Sequence, residues 1–139
     1  LQWRSIVNSA DAVAERPKYR FLEALWCPTF DHAASALQQG FYLDTAVWWY
    51  GRDPVDADGW LGDTGSGSKG GHAIMGCALV ERGGKWGIKI ANSWGRAWGR
   101  DGFGVLPEKR CRTGTQVFRW WALREVVQES GTLPVPKFN

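Results

Sequence analysis

Hydrophobic positions change period several times along the chain, and each change marks an element. Over residues 29–39 apolar side chains recur at helical spacing, with Ala33, Ala34 and Leu37 on one face. Thr29 is placed to cap that helix, Asp31 suits the positive end of its dipole, and Gly40 terminates it. Residues 41–49 alternate instead, which predicts a strand with Phe41, Leu43, Val47 and Trp49 on one face. From 51 to 71 the composition turns to Gly, Asp, Ser and Pro, a long loop of the kind that more often serves function than accident. The runs 72–82 and 85–91 read as two strands joined by Gly83-Gly84, a two-residue hairpin turn. A short strand is predicted at 103–106, while 116–127 is apolar and reads equally as strand or helix. Upstream, Pro17 opens a short helix through Tyr19, Leu22 and Leu25 that Trp26-Cys27-Pro28 stops. Residues 128–139, with Pro134 and Pro136, read as an extended arm. A helix followed by several antiparallel strands implies an α+β domain: an antiparallel sheet or partial barrel with one packed helix, occupying 1–139 as a single domain.

Composition agrees with this pattern. The chain has 139 residues, enough for one core, and its 44% hydrophobic and 22% charged residues are those of an ordinary globular domain. Ten Trp and 18 Gly suit a sheet with large packed anchors and tight turns better than a helical bundle. A net charge of +3 is too small to imply nucleic acid or an anionic membrane as partner, and no apolar run approaches a membrane span. The basic residues Lys109, Arg110, Arg112, Arg119 and Arg124 read as a solvated face. Asp53, Asp56, Asp58 and Asp63 match no EF-hand spacing, so neither a metal nor another cofactor is expected. Cys27, Cys77 and Cys111 allow at most one disulfide, the sequence does not choose it, and no CxxC pair exists. Cys77, in an apolar run, is expected to be a buried inert thiol and Cys111, in EKRCRTG, an exposed one; His32 reads as a surface or packing residue.

The hairpin brings candidate chemistry together. A turn at 83–84 sets position 72 opposite about 95, so His72 and Asn92 reach the same end of one ladder. An imidazole that must take a proton from a thiol needs its other ring nitrogen held by a fixed acceptor, and an asparagine oxygen does this without adding charge. Trp94, two residues on, can shield such a bond from water. Taken singly, His72 reads as a structural histidine, Asn92 as a turn cap and Trp94 as a core aromatic. The string raises the functional reading above these.

The segment GGHAIMGCALVERGGKWGIKIANSWGRAWGRDGFGVL resembles the second half of the papain and cathepsin family of cysteine peptidases. The shared features are His72-Ala73, Trp86, Asn92-Ser93-Trp94-Gly95, Trp98-Gly99 and Gly102-Phe103; FDHAASALQQGFYLDTAVW resembles the helix and first strand before them. The resemblance covers roughly 29–106 and implies the right-hand barrel domain of that fold. It implies His72 as general base and acid, Asn92 as its orienting partner and Trp94 with Ser93 as shield and cleft wall. Gly70 and Gly71 would border the groove for a peptide or protein substrate.

The same family carries its nucleophile in a Cys-Gly-Ser-Cys-Trp-like string well over a hundred residues before the histidine, after an oxyanion-donating Gln. This chain has 71 residues before His72 and no such string. Three explanations stand. The nucleophile and Gln are supplied by a second chain or an N-terminal segment of a split or processed enzyme, which Leu1 in place of Met favours. Alternatively, the chain is an inactive papain-like module that binds peptide or serves as a subunit of a larger assembly. Or Cys27 substitutes, lying before a helix whose dipole would lower a thiol pKa. The helix it precedes corresponds to the barrel-side helix, which argues against this last.

Overall fold

In the computed structural model, which describes residues 20–112 and 116–127, the helical run forms α1 (Phe30–Gln38). Thr29 is its N-cap, its Oγ1 accepting from the His32 N–H at 3.3 Å, and Gly40 follows the helix at φ +84°. Phe30, Ala33 and Ala36 are its buried residues, and Ala34 and Leu37 pack partly buried against the same core. His32 is exposed.

The strands are β1 (Arg20–Cys27), β2 (Tyr42–Arg52), β3 (Ser66–Arg82), β4 (Lys85–Ala91), β5 (Phe103–Pro107) and β6 (Val117–Val127), with a short helix α2 (Glu108–Cys111) after β5. They form one six-stranded sheet in the order β1-β6-β2-β3-β4-β5. The pairings β2–β3, β2–β6, β3–β4 and β4–β5 are antiparallel. Strand β2 alternates as its sequence does: Leu43, Thr45, Val47 and Trp49 are buried, and Phe41 just before it is buried too. Gly83 and Gly84 have φ of +59° and +79°, the pair of positive values a type I′ hairpin requires. The core beneath the sheet centres on Trp120, Leu43, Ile88, Ile90, Leu106, Val47 and Val117.

Two compact units are distinguished. Residues 24–123 hold this core. The other unit joins 1–23 to 124–139, and within its described part Arg124 pairs with Glu23 at 2.7 Å.

Several sequence expectations are corrected. Residues 20–27 form an edge strand rather than the end of a helix, because pairing with β6 outweighs the local signal. The ambiguous segment 116–127 resolves as β6, inserted between β1 and β2. The segment between β2 and β3 spans only 53–65, since the Gly-rich run from Ser66 continues β3 and pairs with β2 as far as Arg52. Cys111 is fully buried rather than exposed, in α2, with its thiol on the Leu106 carbonyl at 3.2 Å. Arg110 leaves the solvated face altogether: it is 3% exposed and forms a forked ion pair with Asp53, at 2.7 and 2.5 Å. The expected arm at 128–139 and the start of the expected Pro17 helix lie outside the described residues.

Candidate active site

The ladder of β3 and β4 positions the candidate residues, with one departure from simple counting. Near the turn the pairs run Arg82↔Lys85 to Ala78↔Lys89; beyond Cys77 they run Gly76↔Ile90 and Met75↔Ala91. Cys77 is bulged, so the register slips by one residue. Extended, the ladder would set His72 opposite Trp94 instead of residue 95. On its other side β3 is pinned by β2, where His72 faces Val47.

His72 is half-buried. Its Nε2–H donates to Asn92 Oδ1 at 2.9 Å. Among the described residues the other ring nitrogen, Nδ1, has no hydrogen-bond partner. Asn92 sits one residue past β4, its own N–H bound to the Gly102 carbonyl at 3.1 Å. Its Nδ2 is buried without a partner among the described residues, so the amide is oriented through its oxygen. With Nε2–H directed at the Asn92 oxygen, Nδ1 is the ring nitrogen left turned away from Asn92.

Two indoles contact the imidazole, and a third packs against both of them. Trp94 stacks on the imidazole with centroids 4.8 Å apart and planes at 21°. Trp49 meets the ring edge-on at 5.5 Å and also touches Trp94 at 5.1 Å and Trp98 at 5.6 Å. Trp98 closes the cluster against Trp94 at 5.8 Å. Trp49 is buried while Trp94 is 48% exposed, so one side of the imidazole is sealed and the other capped by a plate that faces outward. The turn that carries these groups depends on glycine at two points. A Cβ on Gly99 would lie 2.2 Å from the Phe103 carbonyl oxygen, at φ +59°, and one on Gly104 would lie 2.6 Å from the Trp98 ring.

The structure thus brings together His72, Asn92 and Trp94. Ser93 is exposed and Gly71 lies exposed on β3 opposite Trp48. Trp49 was visible in the sequence only as a strand-face residue. Its place beside His72 follows from the β2–β3 register, which no local pattern reveals.

None of the three cysteines joins this group, and all are free. Cys27 is buried and lies beside Ala122, whose row continues through Leu43 to Gly76. Burial pushes its thiol up, against the activation that a helix dipole would bring. Cys77 is about 16 Å along β3 from His72 at roughly 3.3 Å per residue, with its thiol on the Lys89 carbonyl at 3.4 Å, and burial raises it also. Cys111 is raised furthest, by near-complete burial. No group of three or more metal-ligating side chains occurs among the described residues.

No family model matches the sequence, and no curated protein matches it. Among solved structures, the chain is similar to xylellain, a cysteine protease from Xylella fastidiosa, with a TM-score of 0.61 and 19% identity. That similarity covers 84% of this chain and 44% of xylellain. It is also similar to procathepsin B S9 from Trypanosoma congolense, with a TM-score of 0.57 and 16% identity over 77% of this chain and 37% of the other. At these identities the likeness is one of fold: an antiparallel sheet with a small packed helix, the papain-like protease fold. The chain spans less than half the length of either protein.

Proposed function

We propose that residues 1–139 are the histidine- and asparagine-bearing half of a papain-like cysteine peptidase of the C1 type, completed by a nucleophilic cysteine and an oxyanion-donating glutamine carried elsewhere. The observation that carries this reading is the Nε2–H to Oδ1 bond of 2.9 Å between His72 and Asn92, capped by Trp94 and leaving Nδ1 open. The fold likeness to two cysteine proteases supports it.

In this mechanism His72 Nδ1 takes the proton of the incoming thiol as sulfur bonds to the peptide carbonyl carbon. The imidazolium then gives that proton to the leaving amine as the C–N bond breaks, leaving a thioester. Nδ1 next deprotonates a water whose oxygen attacks the thioester, and the proton returns to the departing sulfur. Asn92 holds the ring so that only Nδ1 turns toward the reacting atoms, and it stabilises the cation through its oxygen. Trp94 and Trp49 keep water from that bond, which strengthens it.

A rival reading, favoured by the remoteness of all three thiols from His72, is an inactive papain-like module that binds peptide within a larger assembly. The two separate on covalent trapping of the protein from its natural source with a thiol-directed epoxide, followed by peptide mapping. Label on a cysteine other than Cys27, Cys77 and Cys111 supports the peptidase. Label on Cys27 would overturn the assignment of the nucleophile, and no label with intact thiols would establish the inactive module.

A further inference from the structure

On the far side of β4 from Ile88 and Ile90 lies a cavity of about 370 Å³, walled by the 58–60 turn, the 100–101 turn and the outer faces of β4 and β5. Its volume falls in the range of small-molecule sites. Its floor is apolar: Val80, Val105, Phe103 and the nearly buried ring of Trp60. The walls are held by backbone bonds, Val105 N–H to the Gly59 carbonyl at 2.7 Å and Leu61 N–H to the Val105 carbonyl at 3.0 Å. Arg100 and Phe103 bond each other in both directions, at 2.8 and 3.1 Å. The pocket is therefore preformed.

Its charges are unevenly matched. Lys89 lies over the Phe103 ring at 4.5 Å and has no carboxylate partner among the described residues; Arg100 has none either. Of the two acids in the lining, Asp58 is engaged by Arg82 at 3.3 Å, which leaves Asp101 alone against two cations. A site with two cations that have no carboxylate partner among the described residues, one of them held over an aromatic ring, favours an anion with an apolar body.

We propose that this cavity binds the carboxylate of a small apolar acid, the group set between Lys89 and Arg100 and the apolar part lying on Phe103 and Trp60. Two sources present that chemistry: a free aromatic or branched acid, and the C-terminal residue of a peptide. The site is separate from the His72 face and stands whether or not the chain belongs to a peptidase.

The test is a titration of the full chain, followed by two-dimensional amide and indole NMR, with N-acetyl-phenylalanine, N-acetyl-phenylalaninamide and the peptide Gly-Gly-Phe. The expected result is a saturable shift of the Trp60 indole and Phe103 amide signals with a carboxylate-bearing probe. The amide should bind at least about tenfold more weakly, the scale of one charge-assisted hydrogen bond. Arg100→Gln, at an exposed position, should weaken the acid by a similar factor and leave the amide unchanged; Lys89→Met should do the same. Binding of N-acetyl-phenylalanine alone assigns the free acid, and of Gly-Gly-Phe alone the peptide terminus. Equal binding of acid and amide, shifts at Trp94 instead of Trp60, or no shift with any probe would overturn the proposal.

Discussion

Replacing Asp53 by alanine is expected to destabilise the fold more than any surface substitution, and the structure sets the scale. Asp53 and Arg110 are 2% and 3% exposed, and the guanidinium meets both carboxylate oxygens. Arg110 also donates to the Gly62 carbonyl at 3.0 Å and to Gln116 Oε1. Asp53→Ala takes the carboxylate of this pair away from a buried cation. Breaking one side of a buried pair costs about 3–5 kcal/mol. For a chain of this length that corresponds to a fall in Tm of roughly 10–20 °C. Urea and thermal unfolding followed by circular dichroism measure both quantities. A double variant, Asp53→Leu with Arg110→Met, should regain most of the loss, because removing both charges also removes the penalty for taking them out of water. A loss below about 1 kcal/mol for Asp53→Ala, or a double variant no better than the single, would refute this account of how the 53–65 segment is tied down.

Other outcomes follow from the site and its surroundings. Under the proposed peptidase reading, His72→Ala in the chain joined to its nucleophile-bearing half should lower kcat/KM at least about 100-fold. Asn92→Ala should lower kcat/KM less, and Asn92→Gln should regain part of the loss; activity unchanged in Asn92→Ala would contradict the orienting role. The thiols of Cys27, Cys77 and Cys111 are all raised by burial, so iodoacetamide at neutral pH should modify the folded chain slowly, with Cys111 last. Mass spectrometry showing early modification of Cys111 would contradict its burial. The sign for stability is that these neutral thiols favour the native state fully below the ordinary thiol value. That contribution is lost as pH rises above it, because the unfolded chain ionises first. Gly104→Ala would place a Cβ 2.6 Å from the Trp98 ring and 3.1 Å from Leu61 Cδ1. A cost of about 1–3 kcal/mol with altered near-ultraviolet dichroism is expected, and an unaltered spectrum would count against the indole cluster.

What the sequence disclosed was what local chemistry decides. Thr29 and Gly40 marked the ends of α1, and Gly83-Gly84 announced its hairpin because both positions need positive φ. His72, Asn92 and Trp94 came together on paper because a tight turn makes register countable. What stayed hidden was decided by distant partners. Residues 20–27 are a strand because β6 lies beside them, a fact about residues about a hundred positions away. Arg110 and Cys111 sit in a polar-looking string, and their burial rests on distant partners such as Asp53, Gln116 and the Leu106 carbonyl. Trp49 next to His72 is a statement about β2 against β3, which the alternation of either strand alone does not contain.

The bulge at Cys77 has a consequence for phase. On β4, Ile88 and Ile90 point to one side; on β3 their partners are Leu79 and Gly76, an odd and an even position. Were residue 77 paired in a regular ladder instead of bulged, the half of β3 near the turn and the half that carries Ile74 and His72 would face opposite ways. Excising Cys77 should therefore leave a regular ladder with the imidazole still on its indole-facing side. Any comparison of this strand with another must accordingly place its gaps at residue 77, because a gapless match through that point can equate an inward histidine with an outward one.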